Sequence, residues 1–423
     1  MGLSEYLDQL TAQIRSRKAR DFVSKELQAH IEDQSQALQS SGLSPEDALS
    51  ESIQQMGDPV AVGMEMDRIH RPRLEWKLFL MTALFGLLGV GIQYHLTGSL
   101  QQLFYLVTGL IIMTIVYFID YTFIGKFAIP LWFALTAFFI ALVFVTPPIL
   151  GSHQYQQLYL YLYAPVFAGL LFHYRNTGLI GAGKLLLFYI ATLFVCRRLI
   201  GSLNVALTLT LTLFLMYSVA VIKKWYRLPV KKTLLALWLG AILLPAFLLF
   251  FSWNFGHMPS YQKTRIIAMF SPYFDRTGSS YQAAILADLV KGLTLTGNGP
   301  DSPLALPLQN GLLPGIQFDF VITYIFSYYG ILAGVLLLAL FALLFMRIFR
   351  ISFRQPNQLG LMTGFGCGAA VTLETIHYVA ANFGLSATVQ LYLPFLSTGL
   401  RATIITYVFL GLLLSVYRYK DLV

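Results

Sequence analysis

An aspartate at the mouth of a long apolar run is the residue best placed to do chemistry in this chain. Asp319 follows Gly315-Ile-Gln-Phe and opens the stretch Phe320 to Met346. A carboxylate at the edge of a membrane-length segment is costly and tends to mark a site. There it can take a proton from a hydroxyl nucleophile. It also closes a connection of roughly sixty residues (253–315), rich in Gly, Pro, Tyr and basic side chains, where the other connections are short.

That connection supplies the cations. Lys263 and Arg265 follow Tyr261-Gln262, and Ser271-Pro-Tyr-Phe-Asp275-Arg276-Thr-Gly278-Ser-Ser-Tyr281-Gln282 comes next. From Ala283 to Lys291, apolar Ile285, Leu286 and Leu289 oppose Asp288, which predicts a short amphipathic helix lying in a membrane interface. Gly292-Leu-Thr-Leu-Thr-Gly297-Asn-Gly299 permits tight turns. Cations on a Gly-rich backbone beside an interfacial carboxylate suit an anionic lipid headgroup such as a pyrophosphate. The plainer alternative is a solvated loop with ordinary charges. A second acid, Glu374, lies inside another apolar run, with His377 on the same helix face. Such a pair either lines a polar cavity with Asp319 or satisfies itself between helices.

These residues need a membrane bundle to position them. The chain is 57% hydrophobic and 12% charged, against about a quarter charged in soluble domains. Apolar runs near 77–97, 103–121, 126–147, 157–173, 179–196, 203–222, 232–252, 316–346, 358–383 and 400–417 predict about ten spans and an all-α polytopic fold. The formal charge of +9 does not argue for nucleic acid, because the basic residues cluster at span ends. Lys223, Lys224, Arg227, Lys231, Lys232, Arg347, Arg350, Arg354, Arg418 and Lys420 fall on one side. The positive-inside rule makes that side cytoplasmic, with both termini inside and 253–315 outside. Gly330 and Gly334 read as a small-residue helix-packing face.

Residues 1–73 form a separate polar helical prefix ahead of the membrane domain, 74–423. Ser4 is expected to cap the first helix. Ser44 with Pro45, and Asp58 with Pro59, open later ones. No cleavable signal peptide is expected, because the first seventy or so residues hold no apolar core. Cys196 and Cys367 form no metal spacing and no disulfide framework.

The quoted loop motifs, with Leu295-Thr-Gly297-Asn-Gly299, Gln317-Phe-Asp319-Phe-Val and the later Asn382-Phe-Gly384-Leu385…Leu393-Pro394-Phe395-Leu396-Ser397-Thr-Gly399, resemble the SEDS family of RodA, FtsW and SpoVE. The resemblance implies a ten-span peptidoglycan glycosyltransferase. Such a protein polymerises an undecaprenyl-pyrophosphate-linked disaccharide (lipid II) outside the bacterial cell membrane, with a class B penicillin-binding protein as partner. It implies Asp319 as the catalytic residue. Lys263, Arg265, Arg276, Tyr281, Gln282, Ser397, Arg401 and Glu374 are the candidate substrate contacts. No metal ligand is assigned, and a divalent cation, Mg or Mn, is the one cofactor envisaged. The chain departs from the family pattern at Gln317-Phe318 (His-Thr in the family), at Ser327-Tyr328 (paired glutamates) and at Leu400-Arg401 (a second glycine). The family's Gln-Pro-Ser-Glu element has no clear counterpart, Tyr163-Ala-Pro165-Val being the nearest spot. These departures leave a non-catalytic scaffold or a flippase for lipid-linked precursors as the alternatives.

Overall fold

The structure, a computed structural model, describes the chain apart from residues 148–152, 154–155, 200, 202, 256–257, 259, 279, 305–312, 314, 387–391 and 421–423, and apart from the side chains of residues 198, 199, 203, 244, 245, 248 and 261. The described residues contain helices and no strand. They divide into two compact units, one holding residues 1–75 with the chain from Tyr417 onward, the other Trp76–Val416.

In the first unit, α1 (Leu3–Ala12), α2 (Arg17–Ser40), α3 (Pro45–Gln55) and α4 (Pro59–His70) enclose Tyr6, Leu10, Ile14, Val23 and Ile31. The starts of α2, α3 and α4 follow cap chemistry. Ser16, Ser44 and Asp58 each accept a backbone N–H three residues on, and Pro45 and Pro59 take the first helical positions. Ser4 does not act as the expected cap: α1 begins after Gly2 and Ser4 lies inside it. Tyr419 packs on this core, and the Lys18 ammonium sits 4.7 Å over its ring.

The second unit is built from α5 (Trp76–Thr97), α6 (Gln101–Phe118), the short α7 (Phe123–Lys126), α8 (Ala128–Val145), α9 (Tyr163–His173), α10 (Gly178–Phe194), α11 (Leu203–Ile222) and α12 (Val230–Asn254). After α13 (Ser260–Phe270), α14 (Tyr281–Lys291) and α15 (Ile316–Asp319) come α16 (Val321–Phe353), α17 (Gln358–Asn382) and α18 (Leu400–Arg418). Among the described residues, eight helices are long and apolar enough to cross a membrane: α5, α6, α8, α10, α11, α16, α17 and α18. The protein is therefore a polytopic all-α membrane protein. α9, led in by a 3-10 turn at Gln157–Leu162, and the 25-residue α12 hold the places expected of the fourth and seventh spans. α17 is the central helix: 83% of an 18-residue stretch is buried, against 17% in α8. Its core partners include Tyr163 and Phe167 of α9 and Leu209, Leu213 and Met216 of α11. Both cysteines are free and buried.

α16 departs from the expected single span. Its 33 residues would reach about 50 Å, well beyond a hydrocarbon core of about 30 Å. The helix is broken at Gly330 (φ 91°, ψ 173°). Residues 331–353 remain to cross, while 321–329 form a separate segment. Gly330 is thus a break point and not the packing residue expected; Gly334 alone keeps that character, facing the Phe326 ring.

Candidate functional site

Asp319 ends α15, a single helical turn. Gly315, at φ 79°, starts it, and the backbone N–H groups of Phe318 and Asp319 return to Gly315 O at 2.8 and 2.9 Å. The turn cannot run on into α16, because Phe320 takes a non-helical conformation (φ −127°, ψ 26°). Its last carbonyls need outside donors. Gln317 O accepts from Gln93 Nε2 and from Thr398 N, both at 3.0 Å. Phe318 O accepts from Tyr378 Oη at 3.0 Å and Ser397 Oγ at 2.6 Å. Asp319 O accepts from Asn382 Nδ2 at 2.9 Å. Three consecutive carbonyls are therefore held from α5, α17 and the 393–398 segment.

The 393–398 segment is itself anchored. Gln93 Nε2 also donates to Leu396 O at 2.6 Å, and Gln102 Nε2 donates to Phe395 O at 2.9 Å. Ser397 Oγ accepts from Leu393 N at 2.9 Å while donating to Phe318 O. Ser397, a candidate substrate contact, is 3% exposed and positions the carboxylate turn. Among the described residues, the buried Oε1 atoms of Gln93, Gln102 and Gln317 meet no hydrogen-bond donor. Such atoms call for a hydroxyl, a water or a hydrated cation.

α17 presents Glu374, Tyr378 and Asn382 one turn apart on one face. The Asn382 carboxamide is saturated: Nδ2 serves Asp319 O and Tyr378 O, and Oδ1 accepts from Thr323 N and Thr323 Oγ1. Asn382→Ala is expected to destabilise the protein by about 1–3 kcal/mol for each buried group left without its partner. Thermal unfolding in detergent checks this; an unchanged midpoint would deny the clamp. Glu374 is 1% exposed. It accepts from Tyr161 Oη in a short bond and from Tyr392 N at 3.4 Å, and Tyr161 also pairs with Thr208. It joins α17 to the turn before α9 and to α11. His377 turns to Ser386 Oγ at 3.0 Å instead, so the expected Glu374–His377 pair is divided between separate partners.

In the long connection, α14 buries Ala284, Leu286 and Leu289. Arg276 bonds Asp288 at 2.8 Å and lies 4.7 Å from the centre of the Tyr273 ring. Tyr273 Oη donates to Asp288 at 2.7 Å and accepts from Lys291 Nζ at 2.8 Å. Lys263 Nζ donates to Trp253 O at 2.9 Å. Lys263 and Arg276 are therefore held inside the connection. Arg265 and Tyr281 are exposed, and Gln282 and Arg401 half-buried.

The hydrogen bond from Tyr273, with Arg276 adding to it, holds the Asp288 carboxyl below its ordinary range. A depressed carboxylate stabilises the fold above its unfolded-state value, and that contribution is lost as pH falls through the folded one. Acidification below the ordinary carboxylate range is thus expected to loosen residues 273–291. Proteolysis at low and neutral pH, compared with Asp288→Asn, checks this; equal pH response in both proteins would refute it.

Leu295-Thr-Gly297-Asn-Gly299 docks where α16 breaks. Ile331 N and Leu332 N donate to Thr294 O and Leu295 O at 3.0 and 3.2 Å, and Asn298 N donates to Ser327 O at 3.1 Å. The loop thereby replaces helix bonds lost at Gly330. A Cβ on either Gly297 or Gly330 would meet the backbone of the other segment at about 2.5 Å.

The FtsW, RodA and SpoVE family model, described as "Cell cycle protein", matches residues 78–422. The chain belongs to that family. SEDS relatives include the probable peptidoglycan glycosyltransferase FtsW of Enterococcus hirae, 27% identical over 194 residues, which are 45% of this chain and 48% of that protein. The corresponding protein of Marinomonas mediterranea is 34% identical over 167 residues, 38% of each chain. The chain spans about half the length or less of these curated relatives. Two solved structures share the SEDS fold. A chain from a peptidoglycan synthase complex, in which polymerization and crosslinking are structurally coordinated, gives a TM-score of 0.64 at 21% identity, covering 82% of this chain and 98% of that one. Thermus thermophilus rod shape determining protein RodA gives 0.55 at 18% identity, covering 82% and 97%.

In this SEDS protein the family-like motifs do mechanical work. Leu393-Pro-Phe-Leu-Ser397 and Asn382 grip the Asp319 turn, and Gly297 seats the connection on Gly330. Sequence reading missed Gln93, Gln102 and Tyr378. Their one signal was a polar residue inside an apolar span.

Proposed function

We propose that this SEDS protein is a membrane glycosyltransferase that polymerises an undecaprenyl-pyrophosphate-linked disaccharide, with Asp319 as general base. The supporting observation is the rigid mounting of its turn: the carbonyls of Gln317, Phe318 and Asp319 are all held by donors from other elements. A base is effective when its position is set before the substrate arrives. The acceptor hydroxyl oxygen attacks the anomeric carbon, its proton passes to the Asp319 carboxylate, and the carbon–oxygen bond to the pyrophosphate breaks. One base and one displacement invert the anomeric centre. Lys263, Arg265 and Arg276 lie on the connection that would meet the departing pyrophosphate. Among the described residues no group of three or more His, Cys, Asp or Glu could hold a metal ion. Asp319 would be the residue to hold a Mg or Mn ion brought by the pyrophosphate, and the ion would supply positive charge to the leaving group.

On this reading both termini are cytoplasmic, Asp319 faces the extracytoplasmic side, and a class B penicillin-binding protein is the partner. The test incubates purified protein with lipid II, with and without such a partner, and separates glycan chains by length. Chains longer than the disaccharide are expected. Their absence in both arms would defeat the reading and favour the non-catalytic scaffold.

A further inference from the structure

Four ring side chains close on one another along α16, away from the motifs that grip Asp319. His95 Nδ1, near the end of α5, lies 2.5 Å from Tyr324 Oη and 3.1 Å from Tyr329 Oη. The Tyr328 ring meets His95 edge-on at 5.0 Å and stacks on Tyr324 at 5.4 Å. Tyr324 is the buried floor, while His95 and Tyr329 are exposed at the rim. With Nδ1 taken up by the two phenol groups, Nε2 is the imidazole nitrogen left to meet a ligand at the rim. The result is a set of aromatic faces with one hydrogen-bonding imidazole nitrogen at the edge.

The cluster is mounted on the same parts as the carboxylate turn. Gln93, on the same helix as His95, holds Gln317 O, and Tyr324 N donates to Phe320 O at 3.0 Å. From Val321 to Tyr329 the helix rises about 12 Å. The rings therefore lie between Asp319 and the break at Gly330. An interfacial anchor would turn its hydroxyl to water singly. Here two hydroxyls converge inward on one imidazole.

We propose that His95, Tyr324, Tyr328 and Tyr329 form a saccharide subsite that holds a pyranose ring of the substrate or growing glycan beside Asp319. This rests on the glycosyltransferase reading and says where a sugar sits. A pyranose carries C–H bonds on its faces and hydroxyls around its edge. The C–H bonds meet the negative faces of the tyrosines, and an edge hydroxyl, able both to donate and to accept, hydrogen-bonds His95 Nε2. A quaternary ammonium headgroup also seeks aromatic faces, but it has no hydrogen bond to offer the imidazole nitrogen at the rim.

Saturation-transfer NMR on protein in nanodiscs, with a soluble β-1,4-linked N-acetylglucosamine tetramer as probe, tests the subsite without turnover. Tyr328→Leu is expected to weaken binding about tenfold. His95→Phe keeps an aromatic ring, removes the hydrogen-bonding nitrogens and is expected to weaken it about fivefold. Unfolding midpoints identify any variant that fails to fold, and His95→Phe then decides. Equal binding by wild type and His95→Phe, or preferential binding of choline, overturns the proposal. Saccharide binding at the cluster by a wild-type protein that makes no glycan would defeat the glycosyltransferase reading and leave the subsite standing.

Discussion

Asp319→Asn is expected to reduce glycan polymerisation by about 10²–10⁴-fold, the range for loss of a positioned general base. The amide keeps the shape of the side chain and cannot accept the proton. The clamp uses the main-chain carbonyls of Gln317, Phe318 and Asp319, so it survives the change. The variant is therefore expected to insert and fold with the turn still clamped. This sets the variant apart from Asn382→Ala, which damages the mount together with activity. Lipid II turnover measured beside thermal unfolding separates the two. Wild-type-like polymerisation by Asp319→Asn would remove the carboxylate from the chemistry.

Gly330→Ala is expected to be the most damaging change outside the turn. The pair φ 91°, ψ 173° lies in a region that glycine alone readily occupies, and holding alanine there costs about 1–3 kcal/mol. The new methyl would also meet Leu295 O and the Thr296 backbone at 2.5 Å, so the docked loop must move. The bonds from Ile331 N, Leu332 N and Asn298 N would be lost together. A lower unfolding midpoint, faster proteolysis near residues 292–299 and a large fall in activity are expected. An unchanged midpoint and unchanged protease resistance in Gly330→Ala would show that the break tolerates a side chain.

Much of the architecture was legible in the sequence, for definable reasons. Spans are recognised by length and apolarity, and those properties are local. Ser44-Pro45 and Asp58-Pro59 announce helix starts because a cap bonds within its own turn. Asn382 and Ser397 stood out in motifs, but their role did not. Each motif residue acts on a turn far away in sequence. Gln93 was invisible for the same reason: its two bonds cross 224 and 303 positions. Gly330 is a subtler case. Its composition reads as a packing residue, because the letter carries no φ. Only the docking of Thr294 and Leu295 onto the opened backbone reveals what the glycine permits.

The residues from Tyr417 onward group with residues 1–75, where Lys18 sits over Tyr419. That closure constrains topology independently of hydropathy. A chain in which residues 1–75 share one compact unit with the residues from Tyr417 onward is expected to cross the bilayer an even number of times. Among the described residues the eight strongly apolar helices satisfy that parity, so α9 and α12 are expected to cross together or not at all. A reporter fused at either end is expected to light up in the same compartment.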